Sequence, residues 1–135
     1  MSTPLATFAD HAAREIDALH RLLQAWLRAE GSNDPAPILA HFDEGYIMVN
    51  PAGKLITYQQ FREGLPGLRG TRPTLIMAIS DVVVCHERNG AALVTYQERQ
   101  TQDSGVNNRV STALLLNRVD RPTPVWRHLQ ETWIN

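Results

Sequence analysis

Cysteine is all but absent. Cys85 is alone in 135 residues, so no disulfide framework braces the chain and no paired-thiol zinc spacing exists. An excess of one charge is missing too. Thirteen Lys and Arg against fourteen Asp and Glu leave a formal net charge of −1 and a pI of about 6.5. That balance gives no basic surface for nucleic acid and no electrostatic hold on an anionic membrane. No apolar run approaches the ~20 residues that span a bilayer. Asp10, Arg14, Glu15 and Asp17 stand where a secretory peptide needs its apolar stretch, and the expectation is a soluble, cytoplasmic protein. No two of the five histidines are four apart, and His11 and His20 fall on nearly opposite sides of a helix. With no Gly-rich phosphate loop or nucleophile elbow either, neither a metal nor a cofactor is expected.

What remains is one globular domain over residues 1–135, long enough to bury a core unaided. The first thirty residues read as one amphipathic helix. Phe8, Ala9, Ala12, Ile16, Leu19, Leu23, Trp26 and Leu27 share one arc, opposite Asp10, Arg14, Asp17, Arg21 and Arg28. Thr3-Pro4 offers a start, Thr7/Asp10 a later one, and Gly31 a left-handed stop. Ile38 to Phe42 suggests a second, short helix. Tyr46 to Val49, the Asn50-Pro51-Ala52-Gly53 turn and Leu55 to Thr57 read as a hairpin, and Tyr58 to Leu65 as a third helix ended by Pro66. Four long strands follow: Thr74 to Glu87, Ala91 to Gln102, Asn107 to Val119 and Val125 to Ile134. Asn89-Gly90 is the strongest hairpin signal among them.

Helices first and antiparallel strands afterwards indicate an α+β fold, with helices on one face of a sheet. Strands this long twist and coil, so the sheet is expected to curve around the first helix and leave a cone with an open mouth. This order of elements resembles the nuclear transport factor 2-like superfamily. Its relatives include ketosteroid isomerase and the association (hub) domain of calcium/calmodulin-dependent kinase. The resemblance covers about residues 10–134. It is carried by Ile16…Leu19-His20…Trp26, which is similar to the first helix of a small uncharacterised bacterial branch, by Ala91-Ala92-Leu93-Val94-Thr95-Tyr96, and by His128-Leu129-Gln130-Glu131-Thr132-Trp133. It implies a cone-shaped fold with a strongly curved, mainly antiparallel sheet. It also implies where chemistry would sit. The isomerase's general base is an Asp before a Pro-x-Gly turn, whereas this chain has Asn50 there, and an amide has no usable basic lone pair. Glu98 falls where the hub carries a pocket arginine.

The residues themselves point into the cone. Alternation puts Val94, Tyr96, Glu98 and Gln100 on one face of their strand, taken as the concave one. Arg109, across the Asp103-Ser104-Gly105 turn, is the nearest cation for a buried Glu98, although a surface cross-strand pair would serve Arg109 equally. On the last strand His128 and Gln130 are read as sharing a face with Trp126 and Thr132. His20 lies at the edge of the first helix's apolar arc. Trp26, Met48, Phe61, Tyr96 and Trp126 would supply apolar walls, and aromatics at these spacings are ordinary core as well. Cys85, after three valines, is expected to be buried and inert.

Three readings of function follow. The first is a homodimer that binds a small, partly apolar ligand, charged or not, inside the cone. Its binding residues are His20, Trp26, Met48, Phe61, Tyr96, Glu98, Arg109, Trp126, His128 and Gln130. The second is an isomerase, lyase or hydrolase using Glu98, His128 or His20 as acid and base in that same pocket. The third is a hub-like assembly module with a filled cone. Self-association is expected through the convex face, where Trp133, Leu129 and Leu114 to Leu116 offer more apolar surface than one concave face can hide.

Overall fold

A computed structural model describes residues 5–134 of the chain. Its elements run α1 (Phe8–Leu27), α2 (Ala36–Leu39), β1 (Phe42–Val49), β2 (Leu55–Thr57), α3 (Tyr58–Leu68), β3 (Ile76–Arg88), β4 (Ala91–Gln102), β5 (Gly105–Leu116) and β6 (Val125–Ile134). The six strands form one sheet in the order β2-β1-β6-β5-β4-β3. Every neighbouring pair is antiparallel except β1 and β6, which run parallel. Register shifts interrupt β3 against β4, β5 against β6, and β1 against β6. Each leaves one or more residues unmatched and bends its strand, and together they curl a sheet of long strands around α1 without closing it.

α1 starts at the later of its two possible caps. The Thr7 hydroxyl accepts from the Asp10 amide while the Asp10 carboxylate accepts from the Thr7 amide, closing a capping box. Thr3-Pro4 lies outside the described residues. The helix stops at Leu27, short of Gly31, because Ala29 already turns left-handed at φ 57°. Its buried stripe of Ala12, Ile16, Leu19 and Trp26 faces the concave side of the sheet. Its flank also finishes the exposed edge of β3: Gln24 Oε1 accepts from the Met77 amide at 2.8 Å, and Arg21 donates to the Met77 carbonyl. Two backbone groups that an edge strand would leave open are thereby satisfied.

Several boundaries differ from expectation for local reasons. Phe42 belongs to β1, so α2 is a single turn that ends at Leu39. α3, boxed by Thr57 and Gln60, continues past Pro66 to Leu68, since a proline this close to an exposed helix end deletes only one hydrogen bond. Asn89 and Gly90 both take positive φ, 52° and 76°, as the tight β3–β4 turn requires. Cys85 is exposed rather than buried. It sits at a register shift on edge strand β3, its Sγ 3.5 Å from Thr95 Oγ1. Arg69, just after α3, has a structural role, for it donates to the carbonyls of Gly31 and Ser32 and lies 5.1 Å over the Trp26 ring.

The core is continuous from α1 to the concave strand faces. Ile16, fully enclosed within it, is a direct gauge of that contact. Ile16→Ala should lower unfolding free energy by about 2–5 kcal/mol in urea titration, the range for emptying a packed aliphatic site.

Candidate functional site

Strict alternation makes β4 two-faced. Ala92, Val94, Tyr96, Glu98 and Gln100 are buried on the concave side, while Leu93, Gln97 and Arg99 are exposed on the convex side. Register then assembles a polar floor across three strands. Tyr96 lies opposite Ser111 and that residue opposite Glu131; Glu98 lies opposite Arg109 and that residue opposite Trp133. α1 lowers His20 onto this floor from above.

Both ring nitrogens of His20 are committed. Nδ1 is 2.7 Å from the Ile16 carbonyl one helical turn back, and a carbonyl can only accept, so Nδ1 carries a hydrogen. Nε2 is 3.0 Å from Glu98 Oε1. Gln100 donates to the other carboxylate oxygen. Burial by itself would push the His20 pKa down, but the hydrogen bond and charge of Glu98 outweigh it and the net shift is upward. Burial would likewise push Glu98 up, and the His20 bond, the His20 charge and the Gln100 bond bring it below its ordinary value. The pair is therefore imidazolium and carboxylate, sealed at 4% and 1% exposure. Edge-on packing against Tyr96 and Trp126, with ring centroids 5.6 and 6.0 Å away, fixes the imidazole further.

A second buried pair lies beside the first. Arg109 Nη1 is 3.2 Å from each oxygen of Glu131, Nη2 donates to Asn107 Oδ1 at 3.0 Å, and the guanidinium lies 4.7 Å over the Trp133 ring. Burial raises the Glu131 pKa; Arg109 opposes that, and the neighbouring Glu98 charge adds to it.

A cavity of about 140 Å³ opens over these pairs. His20, Glu98, Gln100, Arg109 and Glu131 make its polar side, and Leu19, Leu23, Phe42, Met48, Phe61, Met77, Trp126 and Leu129 its apolar side. Tyr46 completes the lining, its phenol pushed up in pKa by burial and then by the Glu131 charge. Polar atoms without hydrogen-bond partners among the described residues cluster in and under this wall: Arg109 Nε, Gln100 Oε1, Tyr96 Oη and Ser111 Oγ.

Of the residues singled out from sequence, His20, Met48, Phe61, Glu98, Arg109 and Trp126 come together around the cavity. Trp26 and Tyr96 are buried in the core but do not line it. Trp26 instead donates from Nε1 to the Leu65 carbonyl, tying α1 to α3. His128 and Gln130 lie on the opposite face, in a shallow convex groove with Val110, Thr112 and Thr132. The cause is one extra residue. Leu115 pairs with Trp126 but Leu114 pairs with His128, so Arg127 is left over and the alternation of β6 reverses beyond it. Leu129 and Glu131 consequently face inward, and Leu129 and Leu115 are buried rather than available on the convex side. Glu131 and Gln100 complete the site. Gln100 shares the alternation that found Glu98, whereas nothing in β6 marks the bulge. Asn50 stays clear of the cavity; its Oδ1 accepts from the amides of Ala52 and Lys54 and shapes the turn. A further buried acid, Glu15, is bound by His41 Nδ1 at 2.7 Å and Trp126 Nε1 at 2.9 Å and anchors α1 to β6. Among the described residues, no three His, Cys, Asp or Glu gather as a metal site would require, and no helix is long and apolar enough to cross a membrane.

The sealed pair gives stability a pH signature. The raised His20 contributes fully below its unfolded value near 6.5, and that contribution is lost as pH rises through the folded value. The lowered Glu98 contributes above about 4.5, and that is lost as pH falls through its folded value. Raised Glu131 adds stability below about 4.5 and loses it as pH rises through its own folded value. His20→Gln removes the first outright and, because the His20 bond and charge hold Glu98 low, weakens the second as well. Urea unfolding between about pH 6 and 9 should therefore show the wild-type chain losing more stability than the variant across the window.

No protein-family model matches the chain, and a search of curated proteins found no match. Solved structures do match. A nuclear transport factor 2-like protein of unknown function from Pseudomonas aeruginosa superposes at a TM-score of 0.86 with 28% identity, over 93% of this chain and 99% of its own. A calcium/calmodulin-dependent kinase II hub from S. rosetta follows at 0.73 and 18%, over 98% of this chain and 100% of its own. A ketosteroid isomerase-like protein from Parabacteroides distasonis matches at 0.64 and 17%, over 89% and 86%. The capped helix, the two short helices and the bulged, unclosed six-stranded sheet are thus those of the nuclear transport factor 2-like superfamily, and the chain has that fold.

Proposed function

We propose that this chain is a small-molecule-binding domain whose ligand occupies the cavity between α1, β1, α3 and the concave face of β4–β6, and that it works as a homodimer joined through the convex face. One observation carries the first part. Four ionisable side chains, His20, Glu98, Arg109 and Glu131, are gathered at 11% side-chain exposure or less around a space of about 140 Å³ that apolar residues leave unfilled. Burying such groups is costly, and a protein built only to assemble would do better with a packed apolar cone. The volume is close to the ~150 Å³ that accommodates benzene in an engineered apolar cavity, so the ligand is about one ring in size.

Proton-transfer catalysis draws less support. His20 spends both nitrogens on fixed partners, both oxygens of Glu98 accept hydrogen bonds, and His128 lies on the far side of the sheet. A general base needs a free lone pair within reach of its substrate.

Val83, Leu93 and Val110 favour association, exposed on the convex face at 53%, 39% and 36% beside half-buried Leu114 and Ile47. Solvated apolar surface of this kind is characteristic of contact faces. Two measurements test the proposal. Ligand screening by thermal shift should find ring-sized compounds that raise the melting temperature of wild type and fail on Leu23→Trp, which fills the cavity; no shift from any compound would sink the binding reading. Sedimentation equilibrium should give a dimer for wild type and a monomer for Val110→Arg, and a wild-type monomer would sink the dimer reading.

A further inference from the structure

The cavity's charges are already matched, and this limits what can enter. His20 and Glu98 neutralise each other at 3.0 Å, and Arg109 and Glu131 do so at 3.2 Å. Each carboxylate has a hydrogen-bond donor on both oxygens. An incoming carboxylate or ammonium would be a fifth charge in a buried site with no opposite charge to spare, and it would leave its hydration behind without compensation. A purely apolar guest is also poorly served. Tyr46 is 3% exposed and lines the cavity, which puts a phenol in its wall. Gln100 Oε1 and Arg109 Nε, also on lining residues, have no hydrogen-bond partner among the described residues. The wall therefore offers a phenol that donates or accepts, an amide oxygen that accepts and a guanidinium N–H that donates, in a frame of zero net charge. Gln100 and Arg109 are close enough to share one guest: Arg109 faces Glu98 across the ladder, and Gln100 is two residues further along β4 on the same face.

We infer that the cavity selects an uncharged ring-sized molecule bearing a hydroxyl or carboxamide group, and discriminates against carboxylates and amines of the same shape. This rests on the binding reading above and adds the ligand's chemical class. The polar group lies against Tyr46, Gln100 and Arg109, while the ring packs on Phe42, Phe61, Met48 and Leu23. Selection comes from the paired wall: either charge sign is rejected because each wall charge is already spent.

Four isosteric probes test this on the full-length protein: benzyl alcohol, benzamide, benzoate and benzylamine, compared by calorimetry and thermal shift at about pH 6, with toluene as the apolar control. The expected result is binding of benzyl alcohol or benzamide at least tenfold tighter than benzoate, benzylamine and toluene, lost in Leu23→Trp. Glu131→Gln supplies the decisive arm. It keeps shape and an acceptor for Arg109 but frees one positive charge, so benzoate should gain at least tenfold while benzylamine gains nothing. If benzoate or benzylamine binds wild type as tightly as the neutral probes, or if Glu131→Gln leaves the preference unchanged, the neutrality inference is overturned while the cavity remains a binding site. Toluene binding as tightly as the neutral polar probes would overturn it equally. If no probe binds wild type, the inference and the binding reading fall together.

Discussion

A protonated imidazole, held between its own helix's carbonyl and a carboxylate on the central strand, is the contact from which this molecule is organised. His20 on α1 and Glu98 on β4 are 78 residues apart in sequence and 3.0 Å apart in space. Their pairing sets how α1 sits over the sheet, because a rotation of the helix would leave a buried carboxylate without its cation. Removing one partner of a buried pair typically costs about 3–5 kcal/mol, far more than the net gain from making it. The pair thus acts as a constraint on arrangement, and the apolar stripe of Ile16, Leu19 and Trp26 provides the driving force.

The same constraint explains why the cone is not simply filled. Glu98 brings Gln100 with it, and its strand neighbour Arg109 requires Glu131 and Asn107. Once such a network is buried, each member must be satisfied, and the space above it is bounded by polar atoms that aliphatic side chains cannot satisfy. Phe42, Tyr46 and Phe61, with Tyr46 edge-on to both phenylalanines, those two tilted against each other and centroids 4.7–6.3 Å apart, build the opposite wall and stop short of the floor. The neighbouring solved structures share this frame with hubs and an isomerase-like protein, so the frame alone specifies no activity. The chemistry of this chain lies in that floor, and at the turn Asn50 is an amide engaged in backbone hydrogen bonds.

Much of this was legible in the order of residues. The 3.6-residue apolar period of α1, the Asn89-Gly90 turn, the β4 alternation and the switch from helices to long strands each depend on near neighbours, and each appears where the pattern places it. The same alternation turns Glu98 inward, while the helical period puts His20 only at the edge of the α1 apolar arc. The departures from pattern also share a cause. A period of two carried through β6 puts His128 and Gln130 inward, and the unpaired Arg127 breaks that period. Cys85 was read from its valine neighbours, yet β3 proved to be an edge strand with a bulge at that point. Glu15 went unnoticed because its partners, His41 and Trp126, are 26 and 111 residues away.

Sequence by itself determined the type and order of the elements, the tight Asn89-Gly90 turn, and which face of α1 and of β4 is buried, since these follow from interactions between residues a few positions apart. Tertiary structure alone decided which carboxylate met which cation, where β6 reversed its faces, and that a space was left over the floor. Those outcomes depend on strand register and on bulges, which are settled only when distant segments compete for the same hydrogen bonds and the same volume.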